Sequence, residues 1–459
     1  MGTEWVETEM KTLDLGDPRL NQRVMRMIGL FSANPEASIP KACGNAADTK
    51  AAYRALSSEA VSAEEIRLAH ARSTAERARM AGRVLASSDT TDVSFGRDVQ
   101  IEGLGPVGRK GERGLLVHTA LMTTWAGVPL GVAHQQVWAR EDGGGKKQTR
   151  RNRLIEEKES FRWLETVDAI ESLLPHDVEV WVSGDRESDI FELFAMQRRA
   201  GLELVVRATH ERKVQGEEFK YLHAAVEAAP LLGEMEVEVP RSRKRKERTA
   251  RLSVRACTVT LEPPRHHLGR GDLSPVKVSV VRVVEQETVP AGEEPIEWMI
   301  ITTVAVSSLA EAVEVVAAYA QRWKVERYHY VLKSGCGVEK LQLDSADRIE
   351  RALAIYNVVA WRLLYMTYVA RVAPELPCTA VLEEDEWKAL YVVSSRRPRP
   401  LPDEPPTVRE AVRMIAMLGG FMGRKGDGEP GVQSLWTGFR RLMDFTFALQ
   451  RQRLADPCG

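Results

Sequence analysis

The spacing of apolar and polar residues predicts helices in the first 75 or so residues, because apolar positions recur there every three or four residues. A first helix is predicted to start at Asp17-Pro18, with proline at its first position. Further helices are predicted to start near Asp48 and after Ser62, where Ser62-x-x-Glu65 matches a capping box. The N-terminal part is therefore predicted to be a helical domain, residues 1–75.

Beyond residue 82 the pattern changes to strands. They are predicted at about 83–95, 115–125, 128–138, 177–185 and 202–207, with a helix at 154–174. Three strands, a helix and then strand–helix–strand predict an α/β domain with a mixed sheet. Residues 212–302 interrupt this order with alternating segments, at 234–239, 251–260, 276–285 and 297–304, and are predicted to form an all-β insertion.

The rest of the chain is predicted to be helical. One long amphipathic helix is expected at about 308–335 and an apolar helix at 347–372. The proline-rich segment 396–406 has the composition of a linker or a domain edge. We therefore predict a core of residues 76–375, interrupted by 212–302, and a helical C-terminal region of residues 376–459.

Composition and charge exclude several classes of protein. Lys+Arg number 64 and Asp+Glu 65, so the chain is no uniformly basic coating protein, although local basic clusters remain possible. The five cysteines are scattered without CxxC spacing, which argues against a disulfide framework and a structural zinc site. No signal peptide and no apolar run of about 18 residues are recognised, so a cytoplasmic protein without a membrane span is predicted.

Two aspartates stand at the ends of predicted strands. Asp89 lies within or at the end of an apolar strand, and Asp185 follows a strand directly. Carboxylates of this kind suit Mg²⁺, and phosphodiester chemistry commonly uses two such ions about 4 Å apart. The alternatives are an Asx turn at Asp89 and a helix cap at Asp185.

A third carboxylate, Glu326, lies among residues suited to phosphate. Tyr319, Arg322, Glu326 and Lys333 have offsets of 0, 3, 7 and 14, which on a regular helix fall within an arc of roughly 60°. The face would combine one metal ligand with three groups that bind phosphate oxygens. The alternative is an exposed helix face with an Arg–Glu pair.

These residues carry a resemblance to a known family. Tyr319-x-x-Arg322-x-x-x-Glu326-x-x-x-x-x-x-Lys333 resembles the YREK signature of the transposon-five type of DDE transposase (the IS-four family). The segments around Asp89 and Asp185 resemble the motifs that carry the first two acids of that family. The resemblance continues in four further segments, Leu15–Arg19, Ala52–Arg54, Glu157–Ser160 and Gly419–Met422.

The resemblance implies an RNase H-like core with a β-insertion before the third acid, a helical N-terminal domain that binds transposon-end DNA and a helical C-terminal dimerisation region. It implies a cut-and-paste transposase in which Asp89, Asp185 and Glu326 hold two Mg²⁺ ions, with Mn²⁺ as a substitute. Its partners would be double-stranded transposon-end DNA and target DNA, bound by a homodimer in a synaptic complex with two ends.

Further DNA-contacting residues are expected on this basis. Trp298 is in the position that receives a flipped base in similar transposases, with Trp323 as a second candidate; core packing is the alternative for Trp298. Candidates for end recognition share a basic side chain in the N-terminal helices, and each could instead pair with an acid such as Asp48 or Glu59: Arg19, Arg23, Lys50 and Arg54. Candidates for phosphate contact are the strand residue Arg207 and a basic run that could also be a solvated hairpin tip, Arg243, Lys244 and Arg245.

Two rival functions fit parts of the pattern. A two-carboxylate hydrolase acting on a sugar or a small phosphate would also use paired acids. The basic run and the Tyr/Arg/Lys set argue against it, because a neutral glycan does not require them. A non-catalytic DNA-binding protein derived from a transposase is the second rival, although all three acids are present.

Overall fold

The computed structural model describes residues 4–97, 99–108, 111–142, 153–239, 248–264, 273–286, 289–290, 293–395 and 400–455. Its helices are α1 (Glu4–Glu9), α2 (Pro18–Ala33), α3 (Ile39–Cys43), α4 (Ala46–Leu56), α5 (Ala63–Ala81), α6 (Arg162–Leu173), α7 (Phe191–Ala195), α8 (Leu222–Ala228), α9 (Leu309–Ala320), α10 (Trp323–Tyr330), α11 (Ala346–Val372), α12 (Glu384–Ser394), α13 (Val408–Leu418) and α14 (Val432–Ala455). Its strands are β1 (Arg83–Ser94), β2 (Gly105–Pro106), β3 (Arg113–Thr124), β4 (Pro129–Trp138), β5 (Glu179–Gly184), β6 (Leu202–Arg207), β7 (Leu231–Val239), β8 (Arg248–Leu261), β9 (Val276–Glu285) and β10 (Glu297–Thr302).

The chain divides into two compact units. The first, which we call the helical unit, combines Met1–Met80, Thr90–Asp142 and Lys324–Gly459. The second, which we call the sheet unit, combines Ala81–Asp89 with Gly143–Trp323. These units are defined by contacts rather than by function, so the division into three functional domains remains a prediction.

Two of the three helix starts predicted in the N-terminal part, at Asp17-Pro18 and after Ser62, are confirmed, whereas α4 begins at Ala46, two residues before the predicted Asp48. The Asp17 carboxylate accepts a hydrogen bond from the Arg19 amide at 2.8 Å, and Pro18 is the first residue of α2. The Ser62 hydroxyl likewise accepts a hydrogen bond from the Glu65 amide at 3.1 Å, just before α5. Both contacts satisfy amide groups that have no partner within the first turn of a helix.

The apolar helix α11 forms the centre of the core of the helical unit. It packs against α2, α13, α14 and strand β4. The ring of its Tyr356 stacks on Phe31 of α2, with ring centres 5.1 Å apart. Helix α11 is long and apolar enough to cross a membrane, although the sequence analysis recognised no such segment. However, 89% of its most apolar 18-residue stretch is buried inside the protein. Burial of this extent identifies a core helix of a globular unit.

The sheet unit has strands that run both ways. The first part of β1, β5 and β6 are parallel, and β10, β9, β8 and β7 follow in that order with antiparallel pairing. Helix α9 packs on β5, β6 and β8. The predicted mixed α/β fold with an RNase H-like core is therefore confirmed. The insertion is rich in strands, contains the short helix α8 and extends the sheet of the core.

The single helix predicted over 308–335 is wrong. Helix α9 ends at Ala320, and α10 begins at Trp323 after a turn. In this turn the Arg322 amide donates to the Tyr319 carbonyl oxygen, three residues earlier, at 3.0 Å. Such a bond is tighter than the four-residue bond of an α-helix.

A second departure follows α10, where Val331–Gly335 forms a π-helical turn. There the Cys336 amide donates to the Val331 carbonyl oxygen at 2.8 Å, five residues earlier. The two departures change the number of residues per turn, so a constant 100° per residue does not apply between 319 and 333. Tyr319, Arg322, Glu326 and Lys333 therefore do not lie on one regular helix face, and that prediction is wrong.

Candidate active site and nucleic-acid interface

Asp89 and Asp185 lie just beyond the paired stretch of two neighbouring parallel strands, Asp89 within β1 and Asp185 directly after β5. The last paired residues of β1 and β5 are Ser87 and Ser183, and each aspartate follows its serine by two residues. The Ser183 hydroxyl donates to the Ser87 hydroxyl at 3.1 Å, so these side chains share one face of the sheet. Because side chains alternate between faces, the two aspartates continue the same face.

The Asp185 carboxyl is electrostatically strained. Burial raises its pKa most, and the neighbouring Asp89 carboxylate raises it further. A hydrogen bond from the Glu187 amide, at 2.9 Å, and the positive charge of Arg322 act in the opposite direction. The hydrogen bond is the helix-cap contact that the sequence left open for Asp185, and it coexists with the carboxylate pair. A cation between the two carboxylates would remove the repulsion.

The two acids provide the oxygen ligands that Mg²⁺ prefers, and Mg²⁺ needs few carboxylates because it retains several waters. The described residues contain no group of three or more His, Cys, Asp or Glu side chains arranged to hold a metal ion. Within the sheet unit, Asp89 and Asp185 are the pair of carboxylates that we consider as donors to a divalent ion. The third acid, Glu326, belongs to the helical unit, and its participation rests on the sequence motif.

Aromatic side chains lie around Arg322, just after the end of α9. The Arg322 side chain is buried, and its guanidinium carbon lies 5.9 Å from the centre of the Tyr319 ring and 5.7 Å from that of Trp323. The half-buried Trp298 of β10 meets the Tyr319 ring edge-on, with centres 5.3 Å apart. The exposed fraction of Trp323 is 58%, which leaves its ring available for stacking.

Glu326 and Lys333 lie in the helical unit. Glu326 is a half-buried residue of α10. The Lys333 ammonium donates to the Asp92 carbonyl oxygen at 2.6 Å and forms an ion pair with Glu339 at 3.1 Å. In this structure the charge of Lys333 is thus already compensated by the protein, which a phosphate contact would have to replace or share.

The acids that neighbour the proposed pair have structural partners. Asp189 is buried and pairs with Arg212, while its other oxygen accepts hydrogen bonds from the amides of Thr209 and His210 at 2.7 and 2.9 Å. Glu187 is exposed and pairs with Arg162 at 2.6 Å. Because both acids have these structural partners, we do not count them in the candidate metal site.

A groove in the helical unit brings together part of the predicted end-recognition set. It has a volume of about 320 Å³ and lies between α2 and α4. Arg19 and Arg23 line it, together with three residues that our sequence analysis did not select, Gln22, Arg26 and Asp48. The signal for Gln22 and Arg26 was present, since residues 19, 22, 23 and 26 follow the spacing of one helix face.

Arg26 is held in place by Asp48. Its Nε donates to Asp48 Oδ1 at 2.6 Å and its Nη2 to Oδ2 at 2.7 Å, in the bidentate form. The pair holds the pKa of Asp48 below its usual range, chiefly through the hydrogen bond from Arg26. Thus Asp48 pairs with Arg26, and not with Arg19 or Arg23 as the alternative reading allowed.

The remaining basic candidates are dispersed. Lys50 and Arg54 are exposed on α4 but do not line the groove. The Arg207 guanidinium donates to the Glu297 carbonyl oxygen at 2.8 Å, across β6 and β10. Arg243, Lys244 and Arg245 lie outside the described residues.

A buried carboxylate beside a second carboxylate in a mixed sheet suits divalent metal ions, which phosphodiester chemistry commonly uses. Family models match the chain in three segments: a transposase DNA-binding domain at residues 2–61, a transposase DDE domain at 157–362 and the dimerisation domain of transposase Tn5 at 358–455. Together they support a DDE transposase of the Tn5 type that binds DNA and forms homodimers. The DDE match contains Asp185 and Glu326, whereas Asp89 precedes it.

Proposed function

We propose that the protein catalyses cut-and-paste transposition in the cytoplasm: metal-dependent nicking at transposon ends, hairpin formation and opening, and transfer of the 3′-OH into target DNA. The single observation that carries this proposal is the pair of Asp89 and Asp185, carried by adjacent parallel strands, in which burial and then the nearby Asp89 carboxylate raise the pKa of Asp185. A divalent ion supplies the compensating charge.

We assign the metal ligands to Asp89, Asp185 and Glu326, with two Mg²⁺ ions as cofactor and Mn²⁺ as a substitute. When bound, the ions would activate the attacking oxygen and stabilise the leaving oxygen. Glu326 is included because of its place in the Tyr319-to-Lys333 motif, which the DDE match contains. The protein's own task is to hold the two strand-end carboxylates together on one rigid sheet face.

We assign the DNA contacts to four groups of residues. Tyr319, Arg322 and Lys333 would contact phosphates near the scissile bond. Trp298, with Trp323 as the second candidate, would stack on a flipped base; its edge-on contact with Tyr319 leaves the half-buried ring partly open. The residues of the N-terminal helices would bind the transposon end: Arg19, Arg23, Lys50 and Arg54. The remaining basic residues would contact phosphates: Arg207, Arg243, Lys244 and Arg245.

The proposed division of labour follows the three predicted domains. Residues 1–75 would bind the end, residues 76–375, with the insertion 212–302, would carry the chemistry, and residues 376–459 would dimerise. The dimer would form a synaptic complex in which each subunit cuts the end bound by its partner. A non-catalytic derivative is not favoured, because all three acids are retained.

The test uses purified full-length protein, Mg²⁺ and a DNA duplex. The duplex carries terminal repeats, which are first to be identified by sequencing the DNA that flanks the gene. Strand nicking and hairpin products are expected on denaturing gels. Glu326→Gln should reduce nicking by about a thousandfold or more while end binding changes less than about threefold, because an amide is a poor metal ligand. Glu384→Gln, an exposed acid-to-amide change on α12, is the matched control and should nick normally. Binding by the wild type without any nicking would refute the enzymatic proposal.

A further inference from the structure

Three cations lie against two tyrosine rings of the helical unit, those of Tyr368 and Tyr330. The Lys324 ammonium of α10 lies 5.3 Å from the centre of the Tyr368 ring, and the Arg371 guanidinium of α11 lies 5.4 Å from the same centre. Arg327, one turn after Lys324, lies 5.2 Å from the ring of Tyr330. We call Lys324, Arg327 and Arg371 the α10–α11 basic patch.

The electrostatics of Tyr368 agree with this geometry. Burial raises the pKa of its hydroxyl, while the positive charges of Arg371 and Arg327 act to lower it. Arg327 and Arg371 belong to different helices and are 44 positions apart in sequence. The positive charges of both therefore act on the half-buried Tyr368. Convergence of like charges at a partly buried position is unfavourable unless an anion compensates it.

The described residues include no carboxylate within 4.0 Å of any cation of this patch. Some other arginines of the helical unit do have such partners. Arg348 pairs with Asp344, and Arg409 pairs with Glu429 at 2.6 Å. Arg327 and Arg371 are exposed, and Arg371, besides its contact with the Tyr368 ring, donates from Nη2 to the Pro430 carbonyl oxygen at 3.2 Å.

We infer that the α10–α11 basic patch binds the phosphate backbone of DNA, as a contact surface in addition to the groove between α2 and α4. Arginine, lysine and tyrosine side chains are the groups that proteins use for phosphate oxygens, and they do so without reading sequence. The contacts with the rings of Tyr368 and Tyr330 hold the charged groups in place, so less side-chain entropy is lost on binding. This inference rests on the proposed function, because it assumes that DNA is the polyanion.

The test measures the salt dependence of binding to a 30-bp duplex of random sequence by fluorescence anisotropy, between about 50 and 200 mM salt. Arg327→Gln/Arg371→Gln should lower the slope of log affinity against log salt by about 1.8, or about 0.9 per phosphate contact. Both residues are exposed, so the variant should fold, and its unfolding temperature is measured to check this. Arg327→Lys/Arg371→Lys should restore the wild-type slope within about 0.5, because the charge is kept.

Arg409→Gln is the matched control, since it removes one exposed arginine that Glu429 already neutralises. It should leave the slope unchanged. An unchanged slope in Arg327→Gln/Arg371→Gln would overturn the inference, and so would an equal loss in the Arg409→Gln control. In either case the proposed function would stand if Arg19→Gln/Arg23→Gln still weakened binding to the end duplex. Wild-type protein that binds neither duplex at low salt would instead contradict the proposed function itself.

Discussion

Two aspartates only four residues apart in the sheet unit have opposite environments. Asp189 is buried, paired with Arg212 and bonded to two backbone amides, so its charge is fully compensated. Asp185 lies at the end of β5 beside a second carboxylate, Asp89, and its pKa is raised. The difference teaches that residue type and sequence position do not separate a structural acid from a functional one. What separates them in this structure is that Asp189 pairs with a buried arginine, whereas Asp185 neighbours a second carboxylate.

The largest effect is expected when the compensated side of this comparison is broken. Asp189→Asn should lower the free energy of unfolding by about 3–5 kcal/mol, because Arg212 would be left as an unpaired buried charge. Urea titration of the full chain measures this. Glu187→Gln removes an exposed partner of Arg162 and should cost less than about 1 kcal/mol. Equal costs for the two variants would contradict the assignment of Asp189 as a structural acid.

A smaller effect is expected when both members of the buried pair are neutralised. Asp189→Asn/Arg212→Met should be more stable than Asp189→Asn by about 1–2 kcal/mol, because the unpaired charge is gone. The same urea titrations provide the double-mutant cycle. A double variant that is less stable than Asp189→Asn by a similar amount would show that Arg212 stabilises the turn by packing alone.

The smallest effect is expected at Asp185 in the absence of metal. Its pKa is raised in the folded state, so ionisation costs stability above that pKa, and the cost disappears as pH falls through it. Asp185→Asn should therefore be slightly more stable than the wild type at neutral pH. Its advantage should shrink as the pH falls through the raised pKa of Asp185. Thermal unfolding in the presence of a chelator measures this difference in stability. A difference that does not change with pH would contradict the raised pKa of Asp185.

Local pattern was sufficient to predict much of the fold. The alternation of apolar residues located strands such as β6 and β9, and the cap at Asp17 located the start of α2. The break between α9 and α10 was missed because a tight turn at Arg322 leaves the spacing of apolar residues almost unchanged.

The candidate site was predicted in its acids but not in its partners. The strand ends drew attention to Asp89 and Asp185, whereas the pairing of Asp189 with Arg212 joins residues 23 positions apart. The ion pair of Arg26 with Asp48 and the contacts of Lys324 and Arg371 with the Tyr368 ring likewise depend on how separate elements pack. Contacts of this kind cannot be derived from periodicity or composition.

The central claim is that Asp185 acts in catalysis rather than in folding. The most direct measurement compares Asp185→Asn with the wild type in Mg²⁺-dependent nicking of end-bearing duplex, alongside end affinity and unfolding temperature. We predict a nicking rate lower by about a thousandfold or more, end affinity within about threefold and an unfolding temperature no lower than that of the wild type. Nicking within about tenfold of the wild type, or a loss of folding as large as that of Asp189→Asn, would contradict the claim.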